Sequence, residues 1–374
     1  MLSAPIPPEI CALVCDEVKT PGELALLCRT STIFRAQAQQ LLYRSINLQT
    51  CSMRKVRSWA VVIARNTHLA VLVQALALYL PIDISFDALD AHKVGRALAS
   101  CTNLKELRVS GPDPPSGFLH GSNWRWMLTN CFFHLTKFEN LYLCDNSIKY
   151  FYSNQNQLSV LVTYNSSYFS DRQNLLPALT AVGMTQMSHL PAGKALERIE
   201  IGLEADMLPL LQYKSTLTTL NLVRHWHDSQ FSIGHAIKAV AESLPNIVHL
   251  GLVEPEEFLP CSQEQTSTAT LQLFSRLETF TLSMLNVDAF VINEAPPHDL
   301  SDAAGVHDLS YAVLMACPTL RRVAICAEVA EGKPLASLFT RSAAGLVKHE
   351  SRTGFGFEEF SMFWNDGPSE WSRY

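Results

Sequence analysis

Charge is scarce in this chain. Asp, Glu, Lys and Arg together make up 17% of the 374 residues, and the formal net charge is -6. So mild a balance supplies neither a basic stripe for nucleic acid nor a polybasic patch for an anionic membrane. Long apolar runs are missing as well. The longest, Leu69 to Leu80, is broken by Gln74 and falls short of the roughly 20 residues that cross a bilayer. No CxxC pair occurs among the 10 cysteines. Cys28, Cys101 and Cys317 lie inside apolar stretches, as thiols buried in a reducing compartment do. The opening residues lack the basic-then-apolar order of a secretory leader, with Pro5, Pro7, Pro8 and Glu9 in its place. An intracellular protein, cytoplasmic or nuclear, is the expectation.

Catalytic signatures are absent too. The chain has no GxSxG elbow, P-loop, GxGxxG turn or HExxH helix. Gly354-Phe355-Gly356 is too short to cradle phosphate. His225-Trp226-His227 puts two imidazoles on one side of an extended segment, but no further ligand beyond Asp228 follows at short spacing, which favours a loop pair over a metal site. No metal, no cofactor and no enzymatic activity are expected.

What the sequence does have is 48% hydrophobic residues, enough for a large core. Residues 1–50 read as a small helical unit. Pro7 and Pro8 suit a helix start. Ile10, Leu13 and Val14 fall at helical spacing, Thr20-Pro21-Gly22 interrupts, and Leu24 and Leu27 begin a second helix. Phe34, Ala38, Leu41 and Leu42 mark a third, followed by a short extended piece from Ile46 to Leu48.

A hexapeptide then recurs with apolar residues at its first, fourth and sixth positions. It reads Val73-Leu76-Leu78, Leu104-Leu107-Val109, Phe138-Leu141-Leu143, Leu158-Leu161-Thr163 and Leu196-Ile199-Ile201. It continues as Leu217-Leu220-Leu222, Ile247-Leu250-Leu252, Leu277-Phe280-Leu282 and Leu320-Val323-Ile325. Helical stripes precede three of these, such as Ile233, Ile237, Val240 and Leu244, with Pro245 or Pro318 ending the helix. The unit is therefore helix, turn, strand. One repeat cannot bury its own apolar side, but stacked copies can. The expected architecture is α/β: a curved solenoid of helix–strand repeats over 51–350, with a parallel sheet on the concave side.

Alternation along each strand sends the residues between the apolar ones outward. Arg108, Tyr142, Arg198, Glu200, Asn221, His249, Thr281 and Arg322 are the candidate binding face, against the plainer reading of solvent exposure. Segments from Gly111 to Gly121, Glu254 to Thr268 and Asn293 to Gly305 are expected as loops, and Asp171 to Gly193 has weak periodicity. The aromatic tail, 351–374, is expected to cap the last repeat.

Residues 6–48 resemble an F-box. The family's Leu-Pro-x-Glu-Ile/Leu opening appears as Ile6-Pro7-Pro8-Glu9-Ile10. Its leucine-rich second helix and Cys-Arg pair appear as Leu24, Leu26, Leu27 and Cys28-Arg29, and its close as Phe34-Arg35 and Leu41-Leu42-Tyr43-Arg44. Ile6 departs from the family's Leu, and Cys11 and Cys15 from its bulkier apolar residues. The layout is similar to that of fungal F-box proteins whose remaining chain is a degenerate leucine-rich array. The resemblance implies a substrate receptor: the front unit docks a Skp-type adaptor, and through it a cullin–RING ubiquitin ligase, while the array holds an unknown protein substrate. Pro7, Pro8, Ile10, Val14, Leu24, Leu27 and Cys28 are the candidate adaptor-facing residues; the plainer reading is that they pack the unit's own core. A leucine-rich interaction module whose front unit no longer engages a ligase is the alternative.

Overall fold

The computed structural model describes residues 7–18, 20–81, 86–111, 124, 126–163, 168–170, 172–204, 206–224, 233–253, 264–284, 289–292, 297–329 and 333–353. Three helices open the chain: α1 (Pro8–Asp16), α2 (Pro21–Thr30) and α3 (Thr32–Arg44). Pro8 occupies the first turn of α1, where its missing N–H costs nothing. The Thr20 hydroxyl accepts the Glu23 N–H at 3.2 Å, so α2 starts on the Thr-x-x-Glu pattern of a capped helix. Ser31 ends α2 in extended backbone and caps α3 by accepting the Phe34 N–H at 3.2 Å.

Two compact units follow from the contacts: Met1–Thr163 with Asn174–Ala178, and Tyr164–Gln173 with Leu179–Tyr374. In the first, β1 (Ser45–Asn47) leads to α4 (Met53–Arg65), α5 (Thr67–Ala70), β2 (Ala75–Tyr79), α6 (Ala88–Ser100), β3 (Glu106–Ser110), β4 (Lys137–Asn140), α7 (Lys149–Ser153) and β5 (Val160–Thr163). The five strands are parallel and ordered as in the chain. Ile46, Leu76, Leu107, Phe138 and Leu161 share one register row on the helix-facing side. The extended piece after α3 is thus the first strand of the sheet, which ties the helical front to the repeats. α4 buries Val56, Ala60 and Ile63, one face at helical spacing, and packs on α6, which buries Ala91, Val94 and Leu98.

The second unit runs β6 (Ala181–Met184), β7 (Arg198–Gly202), β8 (Thr219–Val223), α8 (Ile233–Ser243), β9 (His249–Val253), β10 (Glu264–Thr266), α9 (Thr268–Gln272), β11 (Thr279–Met284), β12 (Ala289–Ile292), β13 (His298–Asp299), α10 (Ala303–Ala316), β14 (Arg322–Val329), β15 (Lys333–Arg341) and β16 (Val347–Thr353). Strands β6, β7, β8, β9, β11 and β14 are parallel neighbours in that order. β15 and β16 then add to β14 antiparallel. β10, β12 and β13 form a separate small sheet. Segments expected as loops therefore hold β10 and β13.

What backs a strand varies from repeat to repeat. From β2 to β3 and from β8 to β9, about 30 residues each, a full helix lies between the strands, whereas from β9 to β11, also about 30, the helix is the five-residue α9. Where they lie about 20 apart, as from β7 to β8, a 3-10 turn such as Leu208–Tyr213 takes its place. The mixed α/β repeat class and parallel sheet agree with the sequence reading.

Two repeats differ from it. Phe138 pairs with Leu107 and Leu161, so the third repeat is framed Leu135-Phe138-Asn140, three residues before the apolar frame Phe138-Leu141-Leu143. A polar residue, Asn140, thus stands at an inward position. It is tolerable there because its amide donates to the Leu143 carbonyl at 2.8 Å and the Asp145 carboxylate at 2.7 Å, and its oxygen accepts the Leu143 N–H at 2.8 Å. Thr163 donates to the same carboxylate at 2.6 Å, and Tyr152 hydrogen-bonds it too. The second difference is β6, a repeat framed Leu179-Val182-Met184, inside the stretch of weak periodicity. The aromatic tail beyond Thr353 and His225-Trp226-His227 lie outside the described residues.

Candidate functional site

In the front unit, the bundle's interior is small. Cys15, Leu24 and Ala38 form it, with Val18, Leu27, Cys28, Phe34, Leu41 and Leu42 half-buried around them. Burial, with Cys11, Asp16 and Cys28 nearby, pushes the Cys15 thiol up. Cys28 is fixed from both ends: its carbonyl accepts Arg35 Nε at 3.0 Å, and its thiol points at the Arg35 carbonyl. Leu24, Leu27 and Cys28 therefore serve the bundle's own packing.

α1 is apolar on two faces. Cys11 and Cys15, four apart, face inward and are buried. Ile10, Leu13 and Val14, at i, i+3 and i+4, share the other face and are 48%, 61% and 43% exposed. Leu26 on α2 is 61% exposed, and Pro7 is exposed beside the start of α1. Pro8 opens the helix. Of the predicted adaptor-facing set, then, Pro7, Ile10 and Val14 are exposed. Leu13 shares their face of α1. The stripe Ile10-Leu13-Val14 is visible in the sequence, but which way it points depends on the small cysteines taking the inner positions.

On the outward strand face of the first unit, Glu139 is buried between Arg108 Nε at 3.0 Å and Lys137 Nζ at 2.7 Å. Arg108 is therefore already paired. Tyr142 is not on a strand. It follows β4 in a bend, lying so close to Gly111 that a β-carbon there would meet its ring. Burial raises its phenol pKa.

In the second unit, Glu200, Asn221 and Thr281 are neighbours on one register row with Gly251 between the last two. All three are buried. Asn221 donates to Glu200 Oε2 at 3.1 Å and leans over Gly251, whose hydrogen leaves the room. Arg198, His249 and Arg322 stand on the adjacent row and are half-buried. Burial lowers the His249 pKa; Glu278 works against that shift and Arg198 with it. The candidate residues of this unit thus stand on two register rows, Glu200, Asn221 and Thr281 buried on one and Arg198, His249 and Arg322 half-buried on the other. The burial of Asn221 was hidden in the sequence because it depends on a glycine one strand away.

Among the described residues, no group of three or more His, Cys, Asp or Glu side chains could hold a metal ion. Among them also, no helix is long and apolar enough to cross a membrane.

No protein-family model matches the chain, and no curated protein does. Among solved structures, it is similar to a chain in the crystal structure of the Rad7 and Elc1 complex in yeast, at 13% sequence identity and a TM-score of 0.33, covering 77% of this chain and 90% of that one. A likeness at that score carries no argument about function.

Proposed function

We propose that this chain is a substrate receptor of the Skp–cullin–F-box type: the front helices bind a Skp-type adaptor, the strand face of the repeats binds a protein, and the chain performs no bond chemistry itself. The observation that carries this reading is the outward apolar face of α1. A nine-residue helix is marginal alone. This one shows Ile10, Leu13 and Val14 to water while cysteines fill its inner positions. Covering the exposed half of these three side chains would stabilise a complex by about 2–4 kcal/mol, since a fully buried aliphatic side chain contributes about 1.5–3 kcal/mol. The resemblance of residues 6–48 to an F-box supports this face as the adaptor's. The receptor's contribution is proximity: it raises the effective concentration of bound protein near the ligase.

The test is co-purification of the full chain with a Skp-type adaptor, beside an Ile10→Asp/Val14→Asp variant. Both positions are exposed, so the variant is expected to keep its fold and to lose at least about a hundredfold in affinity. A folded wild type that fails to hold the adaptor at micromolar concentration leaves the alternative, a leucine-rich interaction module without a ligase role.

A further inference from the structure

The mild net charge of the chain conceals a segregation. Residues 24–82 hold seven Lys and Arg and no Asp or Glu, which leaves 22 basic against 35 acidic residues elsewhere. The excess centres on α4. The inner face of that helix buries Val56, Ala60 and Ile63. Each residue turns a helix by about 100°. Counted from Arg54, the opposite face therefore carries Arg65 at about 20°, Ser58 at about 40°, Val62 at about 80° and Lys55 at about 100°, and all five side chains are exposed. Half-buried Trp59 borders this strip next to Lys55. Arg54, Lys55 and Arg65 have no ion-pair partner among the described residues. Arg57, on the flank, is different, because it is bound to Asp90 at 2.7 Å.

A solvated helix face mixes the two signs. α6 sets Lys93 3.4 Å from Asp90, and α8 sets Lys238 3.9 Å from Glu242. α4 has no acidic residue at all, and two of its cations stand in the first turn, at the positive end of the helix dipole. That placement weakens the free helix, and a negative group supplied from outside reverses its sign. The strip is also partly apolar. Val62, 40% exposed, lies between Lys55 and Arg65 around the helix. Phosphate backbones and lipid headgroups make no use of such a side chain, and the apolar face of α4 is already buried, so it has none to lay in a bilayer. A protein partner does use it, and Arg and Trp are the residues that interfaces favour. Positions 54, 58, 62 and 65 form one row at i, i+4, i+8 and i+11, about 16 Å long. A second helix laid along the row meets it with the same rise per residue. We propose that the outer face of α4 docks an acidic amphipathic helix of a partner protein. The helix runs antiparallel, with carboxylates against Arg65 at one end and the Arg54–Lys55 pair at the other, and apolar side chains between them on Val62. Antiparallel packing sets the negative end of the partner's dipole beside Arg54 and Lys55. No residue of the α1 face enters this surface, and the inference does not rest on the receptor reading.

The test uses the full chain and labelled fourteen-residue alanine-based peptides, read by fluorescence anisotropy at low salt. The first peptide has glutamates at its second, twelfth and thirteenth positions and leucines at its fifth and ninth. The second has the same composition in an order that breaks the helical spacing. The ordered peptide is expected to bind about fivefold tighter than the scrambled one. Lys55→Glu and Arg65→Glu are each expected to weaken it about five- to tenfold, and Val62→Ser about threefold, whereas Lys238→Glu on α8 has no effect. A peptide with lysine at its second position should regain affinity for Arg65→Glu. Equal affinity for the ordered and scrambled peptides, or no binding of either, overturns the inference. That comparison needs only the wild-type chain, so it stands even if a variant misfolds. Duplex DNA or phosphatidylserine vesicles held more tightly than the ordered peptide, with that binding lost in Arg65→Glu, overturn it as well and assign the strip to phosphate. The Ile10→Asp/Val14→Asp variant separates this surface from the adaptor face, because it is expected to lose the adaptor and keep the peptide. Loss of the peptide too overturns the inference of a separate surface; peptide binding by a wild-type chain that holds no adaptor sinks the receptor reading alone.

Discussion

Replacing Gly251 with alanine tests whether the outward row is packed as tightly as its register implies. A β-carbon at 251 would lie 2.2 Å from Asn221 Oδ1 and 2.9 Å from its Cγ. Asn221 is fully buried, so its amide has to rotate away and give up the 3.1 Å hydrogen bond to Glu200. A hydrogen bond to a charged group contributes about 1.5–3 kcal/mol. Alanine returns about 0.5–1 kcal/mol relative to glycine in a strand. The expected net loss is about 1–2 kcal/mol. Repeat arrays can open piecewise, so the measurement is native-state hydrogen exchange of the β8, β9 and β11 amides. The decisive arm is a double-mutant cycle with Asn221→Ala. With the amide gone, Gly251→Ala should cost nothing or stabilise slightly, giving a coupling of about 1.5–3 kcal/mol, well beyond the few tenths expected for independent sites. Equal cost in both backgrounds would refute the reasoning.

The remaining predictions concern charge. The His349 imidazole packs against Phe339 and His307, with ring centroids 4.6 Å away in both cases, and hydrogen-bonds Ser337 at 3.1 Å. The side chain is largely exposed, yet desolvation against these rings first, and then His307, lowers its pKa. The unfolded chain therefore binds that proton more readily, and the contribution of His349 to stability is complete above pH about 6.5 and declines as pH falls from there. Thermal melts across pH should show this slope, and His349→Gln should flatten it. Asp90 on α6 is buried, which raises its pKa, but the Arg57 hydrogen bond at 2.7 Å and Lys93 outweigh burial and leave it below the ordinary value. Its stabilising contribution is present above about pH 3.9 and is lost as pH falls through the depressed value. Arg57→Gln should lower stability at neutral pH and weaken the acid limb of the melting profile; an unchanged limb would remove Arg57 as the cause.

The repeat class was legible because inward positions are decided locally. Leu104-Leu107-Val109 or Leu277-Phe280-Leu282 must bury apolar groups whatever their neighbours are, and an apolar count at fixed spacing finds them. The frame slipped at Phe138 for the complementary reason. Asn140 takes an inward position through hydrogen bonds to Leu143 and Asp145, which no hydropathy pattern registers. Asp171 to Gly193 could be read as a repeat or an insertion, and the pairing of β6 with β7 makes it a repeat. The antiparallel close of the second unit, β15 and β16, follows no hexapeptide at all. It turns back on β14 instead of adding another parallel strand.

Outward positions obey a different rule, and this separates the candidate sites from the rest of the surface. Whether an outward side chain is accessible depends on its register partners, which sit some 20 or 30 residues away in sequence. Gly251 lets Asn221 fold over and vanish from the surface, and Arg108 and Lys137 close over Glu139. Polar groups on this face are largely consumed by one another, so a polar outward residue is no indication of a binding residue. What stays accessible is what its neighbours are too small to cover. Threonines at 219 and 279 are short beside Arg198, His249 and Arg322, and leave those side chains half-exposed. In α1 the same principle works radially. Cys11 and Cys15 are small enough to fill the inner positions, and the bulkier Ile10, Leu13 and Val14 are left outside. Exposure on both faces therefore arises from a size mismatch between adjacent positions, a small residue that is buried beside a large one that is not.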